Sequence, residues 1–472
     1  MSDYTTTIGL EIHAELKTKT KMFCNSANAP HEGEPNAHIC PVCMAFPGTL
    51  PTINKEAVHH VLKVGTALGG SIADFTEFDR KNYFYPDIPK GYQITQFKYP
   101  LVSKGELAGV AITRIHLEED TARSQHTKDG YSLIDFNRAG VPLMELVTEP
   151  VIHDAKTASN FAQELQLLLR AIGASDANME KGEMRVEANI SVSKTDTLGT
   201  KVEVKNLNSF RAVEGAIEFE VARHIKALEK GESLVQETRG WDEGTQSTFS
   251  QRKKEDSHDY RYFPEPDLPK LHISRIPEFS KEALQKSLPE LPVQKRERYL
   301  SYGLKKEDAD TLTKNQDFGA FFDAEVVAHT NDKKTLATSA NYLLSDVLGS
   351  GAGTAEIARI ANGMFVELIK MVVAGELSSR SAKDILAKVL KEGGSPKAIA
   401  EKEGLLQIHD EGAIREVAKK LITAHPDVVA EIKAGKGPAI QFLVGQGMRE
   451  TKGTSNPQEL MRLIKEELGI AE

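Results

Sequence analysis

Residues 8–16, IGLEIHAEL, most strongly constrain the fold of this chain, because apolar and charged side chains alternate strictly along them. Such alternation is typical of a β-strand that buries one face and leaves the other open. The apolar side would carry Leu10, Ile12, Ala14 and Leu16, and the other side Glu11, His13 and Glu15. Two carboxylates and an imidazole at this spacing are close enough to bind one cation. A solvated sheet face with random charges would give the same pattern, and this stretch alone leaves both interpretations open.

Four later stretches repeat the design of an apolar back and a charged face. Residues 109–120 end in three consecutive acids, which repel one another unless they are solvated or joined by a cation. The polar side chains are Glu118, Glu119 and Asp120 in that stretch, Glu145 in residues 143–148, Arg185, Glu187, Asn189 and Ser191 in residues 184–192, and Lys201, Glu203 and Lys205 in residues 200–205. An antiparallel sheet with helices on its apolar side would present them as one concave wall, where a metal ion and a phosphate could bind.

Helices and loops are predicted between these strands. Asn54, Asp154 and residues 206–209 provide N-caps for amphipathic helices. Two stretches rich in aromatic residues and proline, 78–97 and 259–269, are predicted to be ordered loops. The first of them also carries cations beside its aromatic rings, namely Arg80, Lys81 and Lys90.

Length and composition limit the possible classes of protein. A chain of 472 residues is too long for one core, and about two to four domains are expected. The net charge of −9 gives no overall attraction to nucleic acid, so such binding must be local or shared with a partner. The absence of an apolar run of about 18 residues predicts no membrane span, and the first residues lack the regions of a signal peptide. Three cysteines cannot all pair, and reduced thiols predict a cytoplasmic protein.

The alternating pattern ends near residue 290, and the remainder is predicted to be helical. We therefore predict an α+β domain over residues 1–292, a helical domain over 293–404 and a helical tail over 405–472. The tail combines small residues with the cations Lys433, Lys436, Arg449 and Lys452. These cations lie either on a solvated helix pair or against a phosphate backbone.

Three cysteines lie close in sequence: Cys24, Cys40 and Cys43. A C-x-x-C pair with a third cysteine is three-quarters of a tetrahedral zinc site. Ser26 stands where a C-x-C pair would have its second cysteine, and His31 and His38 are nearby. Structural zinc, reduced cysteines without a metal, and a redox-active dithiol all remain open.

Several stretches of the chain resemble the GatB family, the B subunits of tRNA-dependent amidotransferases. They are, in order, IGLEIHAEL, FDRKNYFYPD, HLEED, the span from GVPLMELVTEP to RVEANIS, EVKNLNSF, DYRYFPEPD and FLVGQGM. The resemblance covers essentially the whole chain and implies a cradle domain, a helical domain and a tail similar to the YqeY proteins. The chain has no G-x-x-x-x-G-K-[ST] phosphate loop, so its nucleotide chemistry would use the charged sheet face.

The resemblance also implies a reaction. Complexes of this family, formed with the amidase GatA and the small subunit GatC, convert Glu-tRNA(Gln) to Gln-tRNA(Gln), and often Asp-tRNA(Asn) to Asn-tRNA(Asn). The chain is expected to bind the acylated tRNA end and to phosphorylate its side-chain carboxylate with ATP and Mg²⁺. Ammonia released by GatA then displaces the phosphate. A non-catalytic scaffold that positions tRNA is the alternative, and a metal-dependent nuclease could use the same acids.

Roles of individual residues follow from the same resemblance. The implied metal ligands are His13, Glu119 and Glu145. The acids that support this site, or bind a second ion, are Glu11, Glu118 and Glu187. Lys81 is implied in phosphate contact, with Lys205 as a weaker candidate. Phosphate or the terminal adenosine of tRNA would be held by Asn189, Asn206 and Asn208. Many members have C-x-C followed by C-x-x-C, whereas others lack these cysteines, and this chain has Ser26 in place of one of them. The resemblance therefore implies a decaying or histidine-completed site, and a Zn²⁺ ion is not expected to be essential for catalysis.

Overall fold

The structure is a computed structural model that describes residues 3–253, 260–407, 411–434, 436, 438–451 and 454–470. The chain forms two compact units, Met1–Pro292 and Val293–Glu472. The first unit combines sheets with helices and the second is helical, which confirms the predicted α+β class. The division into three domains stays a prediction.

The first unit contains all the strands described below. They are β1 (Thr5–Glu15), β2 (Ser71–Ile72), β3 (Phe75–Thr76), β4 (Asp79–Asn82), β5 (Tyr92–Thr95), β6 (Val102–Ser103), β7 (Glu106–Leu107), β8 (Val110–Glu119), β9 (Arg123–His126), β10 (Ser132–Asp135), β11 (Pro142–Thr148), β12 (Met184–Ser193), β13 (Val202–Leu207), β14 (Glu237–Asp242), β15 (Ser247–Lys253), β16 (Phe263–Pro264) and β17 (Leu271–His272). Its helices are α1 (Lys55–Ala67), α2 (Ala155–Ala171), α3 (Phe210–Glu229) and α4 (Lys281–Ser287), with 3-10 turns at Ile273–Arg275 and Pro277–Phe279.

A long sheet runs in the order β15–β14–β13–β12–β1–β11–β8–β6–β2, with β7 paired to β8. Neighbouring strands are antiparallel, as predicted, except for β13 and β14, which are parallel. Helix α3 lies between these two strands in sequence, and a crossover helix is the usual connection between parallel neighbours. Strand β1, which contains the strictly alternating residues 8–15, therefore lies at the centre of the sheet.

Helices α1, α2 and α3 cover the apolar face of this sheet. Leu10, Ile12 and Ala14 of β1 are buried there, in one cluster with Phe161 and Leu165 of α2. The predicted caps are present, since Asn54, Asp154 and Ser209 each accept a hydrogen bond from the first turn of their helix. The charged side chains of the same strands consequently lie on the opposite face.

A small sheet, β16–β4–β5, lies next to the end of β8. Its strands come from the two aromatic stretches predicted as loops, and that prediction was wrong where the stretches pair as strands. Asp259, which begins the second stretch, lies outside the described residues. Aromatic residues favour strands, and no proline of these stretches lies in β4 or β5. The side chain of Gln93 attaches the small sheet to β8 by donating a hydrogen bond to the carbonyl oxygen of Glu119 at 2.7 Å.

From Pro292 onward the chain is helical. The helices are α5 (Pro292–Ser301), α6 (Lys306–Lys314), α7 (Gln316–Phe321), α8 (Lys333–Tyr342), α9 (Thr354–Ile357), α10 (Met364–Val373), α11 (Ser379–Glu392), α12 (Pro396–Glu403), α13 (Glu411–Ala424), α14 (Pro426–Lys433), α15 (Ala439–Glu450) and α16 (Pro457–Glu467). Segments of π-helix cover Phe322–Val327 and Leu343–Val347, and 3-10 turns cover Leu348–Ser350 and Ala358–Ile360. Two separate apolar clusters stabilise this unit, one from residues 299–400 and one from 414–464. In the described part of the chain, no helix is long and apolar enough to span a bilayer.

Helix α3 packs against β14 and β15 through a buried charged cluster. The fully buried carboxylate of Glu220 lies 2.7 Å from Arg223 Nη2 and 3.2 Å from Arg239 Nε. It also accepts a hydrogen bond from the hydroxyl of Thr248. Burial would raise the pKa of Glu220, but His224, whose Nε2 lies 3.3 Å away, and hydrogen bonds from Arg223 and Thr248 outweigh burial and lower this pKa to about 2. The carboxylate is therefore ionised at neutral pH.

We expect Glu220→Gln to destabilise this part of the first unit by about 1–3 kcal/mol, because the two arginines would lose one of their two carboxylate partners and keep only Glu237. The only tryptophan of the chain, Trp241, packs against α3, so its fluorescence during urea unfolding reports on this region. Glu218→Gln changes an exposed residue of the same helix and should unfold at the wild-type urea concentration. Equal midpoints for the two variants would contradict a stabilising role of the cluster.

Candidate active site

Five neighbouring strands, β8, β11, β1, β12 and β13, place charged residues on one face of the long sheet. The pairing puts His13 opposite both Glu145 and Arg185, and Glu145 opposite His116. Because side chains alternate with a period of two, residues at every second position share this face. We call it the charged face; its residues are Glu11, His13, Arg114, His116, Glu118, Glu145, Arg185, Glu187, Asn189, Glu203 and Lys205.

Two histidines and two glutamates form the centre of the charged face, which we call the acid–histidine cluster: His13, His116, Glu118 and Glu145. His13 Nε2 lies 3.4 Å from Glu145 Oε2 and 3.7 Å from Glu118 Oε1. His116 Nε2 approaches the same two carboxylates from β8, at 3.5 Å and 3.8 Å. Both glutamates are buried, so the histidines and Arg114, whose Nη2 donates to Glu145 Oε1 at 3.2 Å, are their charge partners.

Ionisation within the cluster follows from these contacts. Burial lowers the pKa of His13, but its hydrogen bond to Glu145 and the negative charges of Glu145, Glu187 and Glu118 outweigh this and raise the pKa to about 9. Burial raises the pKa of Glu145, and the nearby His116 and His13 hold it well below its usual range instead. The cluster therefore contains ionised carboxylates and a protonated imidazole, and it can exchange a proton for a cation.

The cluster offers a set of ligands for a divalent cation. One ligand atom each of His13, Glu118 and Glu145 lies within 4.8 Å of the others, and Glu11, His13 and Glu187 form a second such set that shares the histidine. Carboxylate oxygens are the ligands that Mg²⁺ prefers, whereas imidazole is less usual. The donors therefore fit a divalent cation, with His13 as the least typical ligand.

The structure brings His13 and Glu145 together, as predicted, but it does not bring Glu119 to them. Glu119 Oε1 accepts from Ile94 N at 2.9 Å, and its Oε2 accepts from Lys90 Nζ at 2.7 Å. Consecutive residues of a strand point to opposite sides, so only one of the two adjacent glutamates can reach the cluster. Glu118, expected as a supporting acid, stands in the position that the resemblance gave to Glu119.

The predicted phosphate contacts occupy different places. Burial lowers the pKa of Lys81, but the charge of Glu118 and the nearby Tyr262 and Tyr260 outweigh it and raise the pKa. Lys81 thus stays a cation beside the acid–histidine cluster. Lys205 Nζ lies 2.7 Å from Glu187 Oε2 on the charged face, and its pKa is raised mainly by that carboxylate, against the effect of burial.

The three predicted asparagines are not brought together. Asn189 lies on the charged face next to Glu203, and within the described residues its buried Oδ1 has no hydrogen-bond partner. Asn206 adopts a left-handed backbone conformation, with φ of 59°, at a bulge of β13. Asn206 and Asn208 line a separate cavity with Trp241 at the N-terminus of α3.

Sequence reasoning missed His116, which contacts both carboxylates of the cluster. Within the described residues, its buried Nδ1 has no hydrogen-bond partner. The signal was present, because Arg114, His116 and Glu118 occupy every second position of β8.

Cys24, Cys40 and Cys43 do come together, with one sulfur of each within 4.8 Å of the others. The Sγ atoms of Cys43 and Cys40 are 3.9 Å apart, and Ser26 Oγ lies 3.8 Å from Cys43 Sγ. A hydrogen bond from Cys24 lowers the pKa of the Cys43 thiol to about 4, although burial opposes this. Three sulfur donors with a nearby hydroxyl fit zinc.

Two further observations concern this cysteine cluster. The fully buried Lys21 places its Nζ 3.9 Å from Cys43 Sγ and donates to Phe136 O at 3.0 Å, and burial lowers the pKa of this lysine. His38 Nε2 lies 3.1 Å from Glu32 O, and His31 Nε2 lies 3.9 Å from Glu15 Oε2. These contacts occupy both histidines that were expected near the site, and zinc binding stays a prediction.

The tail cations lie at the surface where the structure describes them. Lys433, Lys436 and Arg449 are exposed, and Lys436 Nζ is 3.3 Å from Glu431 Oε1. Lys452 lies outside the described residues. Their contact with a phosphate backbone stays a prediction.

Comparison with known proteins identifies the family. Residues 6–276 match the family model described as the GatB/GatE catalytic domain, and residues 320–468 match the one described as the GatB domain. The chain belongs to the GatB family. All residues of the charged face fall within the catalytic-domain match, and the resemblance carried by the sequence motifs is confirmed.

Full-length relatives support this membership. The chain is 43% identical over 493 residues to the B subunit of an aspartyl/glutamyl-tRNA(Asn/Gln) amidotransferase from Dehalococcoides mccartyi, covering 99% of each protein. It is 41% identical over 495 residues to the protein of that name from Picosynechococcus sp., covering 99% of this chain and 98% of the relative. The corresponding protein of Thermoanaerobacter pseudethanolicus is 43% identical over 479 residues, with 98% and 99% covered.

The geometry distinguishes the two adjacent glutamates of β8 in a metal-binding experiment. With Mn²⁺ as a probe followed by electron paramagnetic resonance, we expect Glu118→Gln to weaken binding about tenfold or more, because a ligand is lost. Glu119→Gln is the matched control and should bind Mn²⁺ like the wild-type chain, since its carboxylate is held by Lys90. The reverse result would favour the metal ligands implied by the family resemblance.

Proposed function

We propose that this chain is the component of a tRNA-dependent amidotransferase that activates the side-chain carboxylate of Glu-tRNA(Gln) or Asp-tRNA(Asn). The observation that carries the proposal is the acid–histidine cluster beside the cation Lys81, within the catalytic-domain match. The names of the relatives, which specify aspartyl/glutamyl-tRNA(Asn/Gln) as substrate, support the same reaction.

The chemistry explains why such a site is needed. A carboxylate is a poor electrophile, and transfer of the γ-phosphoryl group of ATP to one of its oxygens gives an acyl phosphate and ADP. Ammonia then attacks the carbonyl carbon, the bond to the phosphate oxygen breaks, and inorganic phosphate leaves with the amide formed. The first step brings negatively charged groups together, so cations must offset their repulsion.

Individual residues have defined tasks in this proposal. The ligands His13, Glu118 and Glu145 would hold Mg²⁺, which supplies positive charge for phosphate oxygens when bound. Lys81 adds a second positive charge from the side of the small sheet. Glu187 fixes the ammonium of Lys205 at 2.7 Å, so that this cation faces the same surface.

Glu11 is a supporting acid in the same proposal. Its carboxylate lies 3.9 Å from His13 Nε2. Burial, together with repulsion by Glu145 and Glu187, raises the pKa of Glu11 to about 7. Burial and the negative charge of this face therefore both oppose ionisation of Glu11.

Partners complete the reaction. The relatives are named as one lettered component of an amidotransferase, which implies further components of those enzymes. We propose a glutaminase of the GatA type as the source of ammonia and a GatC-type protein as the third component.

Removal of one negative charge, at Glu145, and of one positive charge, at Lys81, tests the proposal in the assembled enzyme. We expect Glu145→Gln and Lys81→Met to lower the rate of ATP-dependent amidation about a hundredfold or more, as loss of a preorganised charge typically does. Glutamine hydrolysis should continue, because it uses another component of the complex. Lys194→Met is a matched control, since Lys194 also lies over a tyrosine ring, that of Tyr4, 4.7 Å from its centroid.

The rates are measured as amide formed on each misacylated tRNA and as glutamate released from glutamine. Amidation by Glu145→Gln at the wild-type rate would contradict the proposal. It would favour a tRNA-binding scaffold, with phosphoryl transfer elsewhere in the complex.

The tail gives a separate prediction. We expect the double change Lys433→Glu and Arg449→Glu to raise the KM for acylated tRNA and to reduce its dependence on salt, because fewer phosphates would be neutralised. Lys402→Glu, at an exposed position of α12, is the control. An unchanged KM would leave the tail cations as ordinary solvated residues.

A further inference from the structure

Four aromatic rings form a row along the small sheet, which we call the aromatic row: Phe97, Tyr262, Tyr260 and Tyr83. The rings of Phe97 and Tyr262 are stacked, with centroids 4.0 Å apart and planes 5° from parallel. Tyr262 and Tyr260 follow edge-to-face at 5.9 Å, and Tyr260 and Tyr83 at 5.8 Å. The metal and phosphate chemistry of the acid–histidine cluster uses none of these rings.

The row is attached to the acid–histidine cluster at its inner end. Lys81 Nζ lies 5.0 Å from the ring centroid of Tyr260 and 5.9 Å from that of Tyr83. On the adjacent strand β5, the hydroxyl of Thr95 donates to Glu118 Oε2 at 3.0 Å. The inner rings and the cluster therefore belong to one connected set of contacts.

Hydrogen bonds to the backbone of its residues fix the position of the aromatic row. Asp79 Oδ2 accepts from Phe97 N at 3.0 Å, and Asn82 N donates to Tyr260 O at 3.0 Å. Arg261, between the two tyrosines of the row, has a left-handed backbone with φ of 44°. The side-chain amide of Asn82 holds that backbone by donating to Arg261 O at 2.8 Å. Such a conformation persists only where surrounding contacts determine it, and it is common at ligand sites.

Exposure changes along the row. Phe97 is 60% exposed, although Tyr262 covers one face of its ring, whereas the three tyrosines are partly buried. Because Tyr262 covers only one face of the Phe97 ring, the exposed part of this ring is accessible to a ligand. The row thus leads from solvent to a cation beside the acid–histidine cluster.

We propose that the aromatic row binds the unpaired 3′-terminal nucleotides of the tRNA substrate, with bases stacked at Phe97 and Tyr262 and the acylated end toward Lys81. The inference rests on the proposed function and deepens it. Every base has a π-face, and base–aromatic stacking beside a cation is the usual way to hold single-stranded RNA. Four rings extend further than one purine requires, which favours several nucleotides over the adenine of ATP.

Filter binding at one fixed salt concentration tests the inference with the assembled enzyme. The probes are the same tRNA with its 3′ end intact and without its unpaired 3′-terminal nucleotides. The wild-type enzyme should bind the intact RNA about fivefold or more tightly, from the usual contribution of a stacked base. Phe97→Ala should remove most of this preference and leave the affinity for the truncated RNA unchanged.

Matched variants separate stacking from a structural effect. Phe97→Trp keeps an aromatic ring and should retain the preference. Phe249→Ala removes an exposed aromatic ring from β15, at the opposite edge of the long sheet, and should also retain it. The affinity for ATP should be the same in all variants.

Three results would overturn the inference. The first is equal affinity of the wild-type enzyme for the two RNAs, which includes no measurable binding of either. The second is a Phe97→Ala variant that keeps the preference for the intact RNA. The third is a Phe97→Ala variant that loses affinity for ATP but keeps this RNA preference. The last would make the row the adenine site of ATP. The amidation rate of Glu145→Gln decides the proposed function separately, because this variant leaves the aromatic row unchanged and is judged by a rate rather than by RNA affinity.

Discussion

The contact between His13 and Glu145 links the two central strands of the long sheet and determines the charge balance of the site around it. Two glutamates are buried at this point, and buried carboxylates persist only when other groups compensate their charge. His13 from β1 and His116 from β8 approach the same oxygen of Glu145 from opposite sides. The charged face is stable because positive groups occupy the rows on either side of its acids.

This arrangement also suits the proposed chemistry. The acids, the imidazoles and the lysines are held by the sheets before any substrate arrives, so little reorganisation is needed when charge accumulates during phosphoryl transfer. The protein needs no phosphate loop for this purpose. A sheet with a charged face provides many fixed side chains at regular spacing, and the small sheet adds Lys81 from another direction.

Much of the fold could be predicted from the sequence, because alternation along β1, β12 and β13 specifies which side chains share a face. Alternation does not specify which strands are neighbours or how their ends align. The choice between Glu118 and Glu119 did not depend on that pairing, because the alternation of Ile115 and Leu117 with His116 already puts Glu118 on the polar side of β8; the resemblance favoured Glu119 instead. Asn206 and Asn208 lie within three residues of Lys205 in the sequence, but β13 has a bulge at Asn206 that the sequence does not reveal. Both asparagines therefore line another cavity. The strands of the small sheet were missed because their prolines and glycine suggested loops.

The hydrogen bond from Thr95 to Glu118 joins the small sheet to a carboxylate that can bind a cation. The Glu118 carboxylate has a limited set of orientations. Each orientation gives a different geometry for the hydrogen bond from Thr95 and for contact with an ion. Occupancy of the cation site and the position of β5, with Phe97 two residues further on, are therefore thermodynamically linked. Linkage is reciprocal. If the bound RNA end favours one position of β5, it changes the affinity for the cation, and the cation changes the affinity for RNA by the same factor. On the proposed assignments of the metal site and the aromatic row, this one bond makes metal affinity and RNA affinity parts of a single equilibrium.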